Sequence, residues 1–223
     1  MYMYNILILG EFNLKKLIFV FLAFVVFLSY FFVYSNNVEA AKEDISKKLI
    51  RFHVIANSDS EEDQELKLKV RDAVIFEMNK RFEKIDDIDK SEEMIKTNIE
   101  EIQKIAQEVV YKHGKDYKVK ALYGWFNFPT KYYGSVALPA GKYKALRIVI
   151  GNGEGKNWWC VMFPPLCFID ITHGITDSKT KEEMAKFLTK DEINLIETDK
   201  PEMRFKIVEI FEKYYNKVKM AWK

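Results

Sequence analysis

The chain has 223 residues, and its 35 Lys and Arg against 33 Asp and Glu leave a net charge of +2, without the basic excess that a nucleic-acid surface needs. Two cysteines are too few for a disulfide framework. The three histidines, His53, His113 and His173, stand in unrelated contexts with no HExxH or CxxC spacing, so neither a cross-linked miniprotein nor a zinc enzyme is indicated.

Lys15-Lys16 precede an apolar stretch from Leu17 to Val33 that contains no charge. It is longer than an ordinary secretory core and sits at the lower limit for crossing about 30 Å of hydrocarbon as a helix. Residues 1–40 are therefore expected to be a signal peptide or a membrane anchor. Val38-Glu39-Ala40 before Ala41 offers a small-residue cut site; uncut, Lys15-Lys16 hold the N-terminus in the cytoplasm and residues 17–33 contact the membrane. On either reading the remainder is extracytoplasmic, with residues 41–48 as a charged stalk and 49–223 as one domain large enough to bury a core unaided.

Residues 49–56, β-branched and aromatic, predict a strand that ends at Asn57-Ser58-Asp59-Ser60. Ser58 with Glu61 forms a capping-box pattern, and Leu66, Val70, Ala73, Val74 and Met78 recur at helical spacing as far as about Phe82. A second helix is expected from Ser91, with Ile95, Ile99, Ile102, Ala106 and Val109 on one face and Gly114 as its stop. Beyond Tyr117 the runs shorten and are bounded by Gly, Pro or Asn, which predicts antiparallel strands at 117–127, 143–150 and 157–163, with a turn at 138–141.

The run Gly151-Asn152-Gly153-Glu154-Gly155 invites a phosphate-binding reading, but a strand follows it, and that chemistry needs a helix N-terminus. A hairpin turn is the expectation. Residues 172–190 are polar with a short helix at 182–188, and a last helix opens at Asp199-Lys200-Pro201 with Met203, Ile207, Phe211, Tyr214 and Val218 on one face. The fold class expected is α+β: a single domain with an antiparallel sheet and packed helices, preceded by an N-terminal signal or transmembrane segment.

No catalytic, cofactor or metal residue is assigned, and no small-molecule substrate is expected. A hydrolase would have to assemble Cys160 with His53 or His173, or Ser58 with His53 and Asp59. Yet Ser58 lacks the glycines of a nucleophile elbow, and Cys160 sits in an aromatic strand. Cys160 and Cys167 form either a disulfide, permitted outside the cytosol, or a pair of buried thiols. The second half is rich in aromatics. Trp158 and Trp159 are strand neighbours that must face opposite ways, so one indole lies on the outer side unless another element covers it. Exposed aromatics suit a binding surface, and the expected partner-binding residues are His53, Asn57, Asp59, Trp125 and Trp159. A cell-wall glycan stacking on the same rings is the alternative occupant.

Three strings carry a resemblance. Arg51-Phe52-His53-Val54-Ile55-Ala56-Asn57-Ser58-Asp59, followed by 63–72, resembles the opening block of the stage II sporulation protein R family of endospore-forming bacteria. Residues 158–168, Trp-Trp-Cys-Val-Met-Phe-Pro-Pro-Leu-Cys-Phe, resemble its second block, and 138–147 match between them. The resemblance implies a protein made in the forespore and moved across its membrane into the space between the two cells. There it triggers a membrane-embedded aspartic protease of the mother cell to process a sigma-factor precursor.

Overall fold

The computed structural model describes residues 2–82, 85–133, 135–167 and 177–197, with side chains described from 16 onward except at 36–37 and 177–179. The chain divides into two compact units, Met1–Lys42 and Glu43–Lys223.

The first unit is formed by helix α1, Tyr2–Lys47, which runs on into the second. Every side chain from Leu17 to Tyr34 is exposed, including the phenylalanines at 19, 21, 24 and 27. A helical stretch that is apolar all round and buries nothing suits export or membrane association. The uncharged stretch extends from Leu17 to Val38, which at the helical rise is about 33 Å, close to the thickness of a hydrocarbon layer.

The second unit is α+β. Strands β1 (Ile50–Ile55), β2 (Val119–Phe128), β5 (Gly141–Ile150) and β6 (Asn157–Phe163) form one sheet in the order β2-β5-β1-β6. A small hairpin, β3 (Lys131–Tyr133) and β4 (Val136–Leu138), forms a second sheet in addition to the predicted strands. The main sheet is mixed: β2–β5 and β1–β6 are antiparallel as expected, but β1–β5 is parallel. Parallel partners need a long crossover, and the helical segment between β1 and β2 supplies it. All six residues of β1 are buried, as befits a strand covered on both faces.

One face is covered by helices α2 (Glu61–Phe82), α3 (Ile88–Thr97) and α4 (Ile99–Lys112). Leu66, Val70, Val74 and Met78 of α2 and Ile102, Ala106 and Val110 of α4 join Phe52, Val54, Leu146, Ile148 and Cys160 in one core. The cap of α2 is Ser60, whose Oγ accepts from the Asp63 amide at 3.3 Å, rather than Ser58 as the spacing suggested. The second predicted helix is two: Asp87, not Ser91, caps α3 by accepting from the Lys90 amide, and Asn98 separates α3 from α4. Gly114, at φ +71°, ends α4 as expected. Two glutamines of α4 satisfy the edge strand: Gln107 Oε1 accepts from the Val119 amide at 2.8 Å and Gln103 Oε1 from the Ala121 amide at 3.0 Å.

The other face carries a second core. Ile45 and Leu49 at the end of α1, Tyr133, Val136 and Leu138 of the hairpin, and Leu188 and Ile196 pack over Tyr143, Ala145 and Val161. Helix α5 spans Asp177–Ala185, starting before and ending short of the predicted 182–188, and α6 (Lys190–Ile196) follows, opened by a Thr189–Glu192 capping box. The predicted C-terminal helix lies outside the described residues.

Candidate functional site: the second face of the sheet

The glycine run is a crossover rather than a hairpin turn, because β5 and β6 do not pair; β1 lies between them. The loop passes over the end of β1 and is bonded to it. Gly155 donates its amide to Ala56 O at 3.0 Å, Asn152 to Asn57 Oδ1 at 3.0 Å and Lys156 to Asp59 Oδ1 at 2.7 Å. Asn57 also donates to Asp63 Oδ2 at 2.8 Å. Two of the five predicted partner-binding residues, Asn57 and Asp59, are thus engaged in closing this loop.

The strand register separates the two predicted tryptophans. Trp125 is opposite Lys144, and Lys144 reaches Glu92 of α3, so this indole lies on the helical side, where it is 51% exposed. Trp159 points to the other side. It stacks on His53 with ring centroids 4.8 Å apart and meets Phe128 edge-on at 4.8 Å. Its neighbour Trp158 faces α2, under Arg71 and against Phe52. The structure therefore does not bring Trp125 and Trp159 into one surface.

On the face of Trp159, one row across the sheet reads Leu122, Arg147, His53, Trp159. His53 is wholly buried, roofed by Phe126, Phe128 and Trp159, and it underlies this surface rather than forming it. Phe126, Arg147 and Trp159 are half-buried and Leu122 is exposed. Arg147 lies over the Phe126 ring at 4.5 Å, and Lys131 of the hairpin over Trp159 at 5.7 Å. Beneath the hairpin, the wholly buried Arg51 donates to Cys160 O and Tyr133 Oη and lies against the rings of Phe128 and Tyr143.

Burial above all, with the charges of Arg147 and Arg51 adding to it, lowers the His53 pKa to about 3, against the opposing effect of the Asn157 carboxamide. The imidazole is neutral at ordinary pH. Neither of its nitrogens makes a hydrogen bond of good geometry, although the Asn157 side chain is near enough to oppose the shift.

These contacts bear on the hydrolase reading. Cys160 and Cys167 are joined as a disulfide in the structure, which leaves no thiol at 160. Ser58 Oγ donates to Asp63 Oδ2 at 2.6 Å, and His53 bonds to neither Ser58 nor Asp59. Among the described residues, no group of three or more His, Cys, Asp or Glu is placed to hold a metal ion. His173 lies outside the described residues.

A family model for stage II sporulation protein R matches residues 46–173, which takes in the whole sheet and helices α2 to α4. The chain belongs to that family. The stage II sporulation protein R of Bacillus subtilis (strain 168) is 41% identical to it over 144 residues, 64% of this chain and 64% of that relative, so the match spans less than two thirds of the relative's length. No solved structure matches the chain. In this member of the stage II sporulation protein R family, the matched region contains the loop closure by Asn57 and Asp59, the Trp159–His53 stack and the disulfide.

Sequence reasoning missed Arg147, Lys131 and Arg51. A signal for the first was present: in β5, Tyr143, Ala145, Arg147 and Val149 alternate onto one face, and an arginine among apolar neighbours there breaks the pattern.

Proposed function

We propose that this chain is an exported sporulation signal whose folded domain binds and activates a membrane-embedded aspartic protease of the mother cell, which then processes a sigma-factor precursor. Membership of the stage II sporulation protein R family carries the reading. The apolar, exposed α1 supports delivery across or into the forespore membrane, and the half-open aromatic face supports a protein partner. The domain acts as a ligand: it binds the active form of the protease more tightly than the inactive form, since only unequal affinity moves such an equilibrium.

The test is co-expression of this chain, its candidate protease and a tagged precursor in a non-sporulating host, read by immunoblot for the shortened factor. Processing that requires this chain and survives substitution of Ser58, His53 and Cys160 establishes a non-catalytic activator. Absence of processing, with export confirmed and the protease present, rejects the reading and favours a cell-wall glycan as the occupant of the aromatic face.

A further inference from the structure

Taken strand by strand, the second sheet face has an unusual charge content. The residues pointing to it are Arg51, His53 and Ile55 from β1; Lys120, Leu122, Gly124, Phe126 and Phe128 from β2; Tyr143, Ala145, Arg147 and Val149 from β5; and Asn157, Trp159 and Val161 from β6. Cations are present and no carboxylate is. Elsewhere on the domain the lysines and arginines are commonly paired, as in Lys48–Glu192, Arg81–Glu101 and Lys115–Glu62. Arg51, Arg147 and Lys131 enter no ion pair among the described residues.

Arg51 is satisfied in part by Cys160 O, Tyr133 Oη and aromatic rings. Arg147 lies against the Phe126 ring, but its buried Nε lacks a hydrogen-bond partner, as do Arg51 Nη1 and both nitrogens of the wholly buried His53. Burial, and after it the charge of Arg51, lowers the pKa of Lys131. A desolvated cation with unused donors is favoured by an incoming anion.

We propose that this face, at Arg147 and Lys131 over the Phe126 and Trp159 rings, is a docking site for an acidic side chain of the partner protein, an Asp or Glu flanked by apolar residues. The inference rests on the proposed signalling function and names the chemistry of its partner's surface. The planar guanidinium of Arg147 matches a carboxylate with two parallel hydrogen bonds. Leu122, 44% exposed beside it, and the half-buried Phe126 and Trp159 provide the apolar flanks. An anionic membrane surface would be read by a larger, more exposed basic cluster than this one.

Two measurements test it. In the first, the full-length chain in neutral detergent micelles is titrated calorimetrically with a capped pentapeptide bearing one Glu between leucines, and with its Gln counterpart. The Glu peptide should bind more tightly by on the order of tenfold. That preference should vanish in Arg147→Gln and be reduced but not abolished in Arg147→Lys, which keeps the charge and loses the fork, with both variants showing the wild-type denaturant midpoint. Equal affinity for the two peptides, no measurable binding, or a preference unchanged in Arg147→Gln overturns the site. So does binding to phosphatidylglycerol vesicles that falls in Arg147→Gln while the peptides are not distinguished, which would make the face a lipid contact.

In the second, Arg147→Glu is placed in the co-expression assay. Processing should be lost and then restored by an Asp→Lys or Glu→Lys change selected in the extracytoplasmic part of the partner. If wild type drives processing and Arg147→Glu does so equally well, the docking site is wrong and the signalling function stands. If wild type itself drives none, the signalling function fails, and the peptide titration alone decides whether the face receives a carboxylate.

Discussion

His53 lies face to face with Trp159, the two ring centroids 4.8 Å apart and the planes 10° from parallel. The imidazole that makes this stack is neutral, because burial, Arg147 and Arg51 all disfavour its charged form and lower its pKa from 6.5 to about 3. In the unfolded chain it protonates near 6.5, so between about pH 6.5 and 3 the unfolded state binds the extra proton. Stability contributed by this residue is complete above pH 6.5 and is lost as pH falls toward 3. Denaturant melts should therefore show a midpoint that declines below pH 6.5. His53→Phe, which keeps the ring and removes both unpartnered nitrogens, should match wild type within about 1 kcal/mol at pH 7.5 and exceed it by a few kcal/mol at pH 4. Parallel pH profiles for the two proteins would show that His53 does not titrate across folding.

Placing the two indoles on opposite faces gives them different consequences when removed. Trp159→Ala deletes the stack on His53 and the edge contact with Phe128, and should cost about 2–4 kcal/mol in a denaturant melt. Trp125→Ala removes a largely exposed ring and should stay within about 1 kcal/mol of wild type. In the co-expression assay Trp125→Ala should keep processing. Loss of processing without loss of stability would move the partner surface to the helical side.

Gly155 sits where a Cβ would fall 2.2 Å from the carbonyl oxygen of Ser58, a backbone atom that cannot swing away. Gly155→Ala should therefore open the loop over β1 and cost more than about 2 kcal/mol. Gly114→Ala is the control: its φ of +71° is unfavourable for alanine, but nothing lies within 4 Å, so the cost should be close to about 1 kcal/mol. Equal thermal shifts for the two variants would show that the loop tolerates displacement.

The disulfide closes a short loop, with Cys160 and Cys167 both buried in the core. By loop-closure entropy its reduction, or Cys160→Ala with Cys167→Ala, should cost about 2–3 kcal/mol. Mass spectrometry of the exported protein alkylated without reductant should find neither cysteine labelled. Full labelling would mean that the bond does not form on export.

The strands and helices that were legible in the sequence are those with uninterrupted local patterns. Glu61–Phe82 was legible apart from its cap, which is Ser60 rather than Ser58, because its acidic first turn and its apolar spacing agree. The break at Asn98 was not, since Ile95, Ile99 and Ile102 keep a helical spacing straight across it. The parallel pairing of Ile50 with Lys144 leaves no local trace, and from adjacency alone the glycine run looked like a hairpin turn. For the same reason the sequence shows which residues are candidates but not how they are assembled. Aromatic content was visible, but which rings share a face depends on register, and the cations beside Trp159 come from Lys131 and from β5 across the sheet. Asn57 and Asp59 were singled out as polar residues at a strand end, and only the position of the 151–155 loop shows what they hold.

Strand β1 is the first part of the sheet in the chain, yet it lies between β5 and β6, which are the last. Ile50 cannot gain both neighbours until Lys144 and Phe163 are available. In a chain whose N-terminus is held in the cytoplasm while the rest passes through a membrane, the segment behind the apolar helix would emerge as a strand without partners and wait while more than a hundred residues follow. On that route β1 would stay unpaired on one side until β6, which ends at Phe163, had also passed.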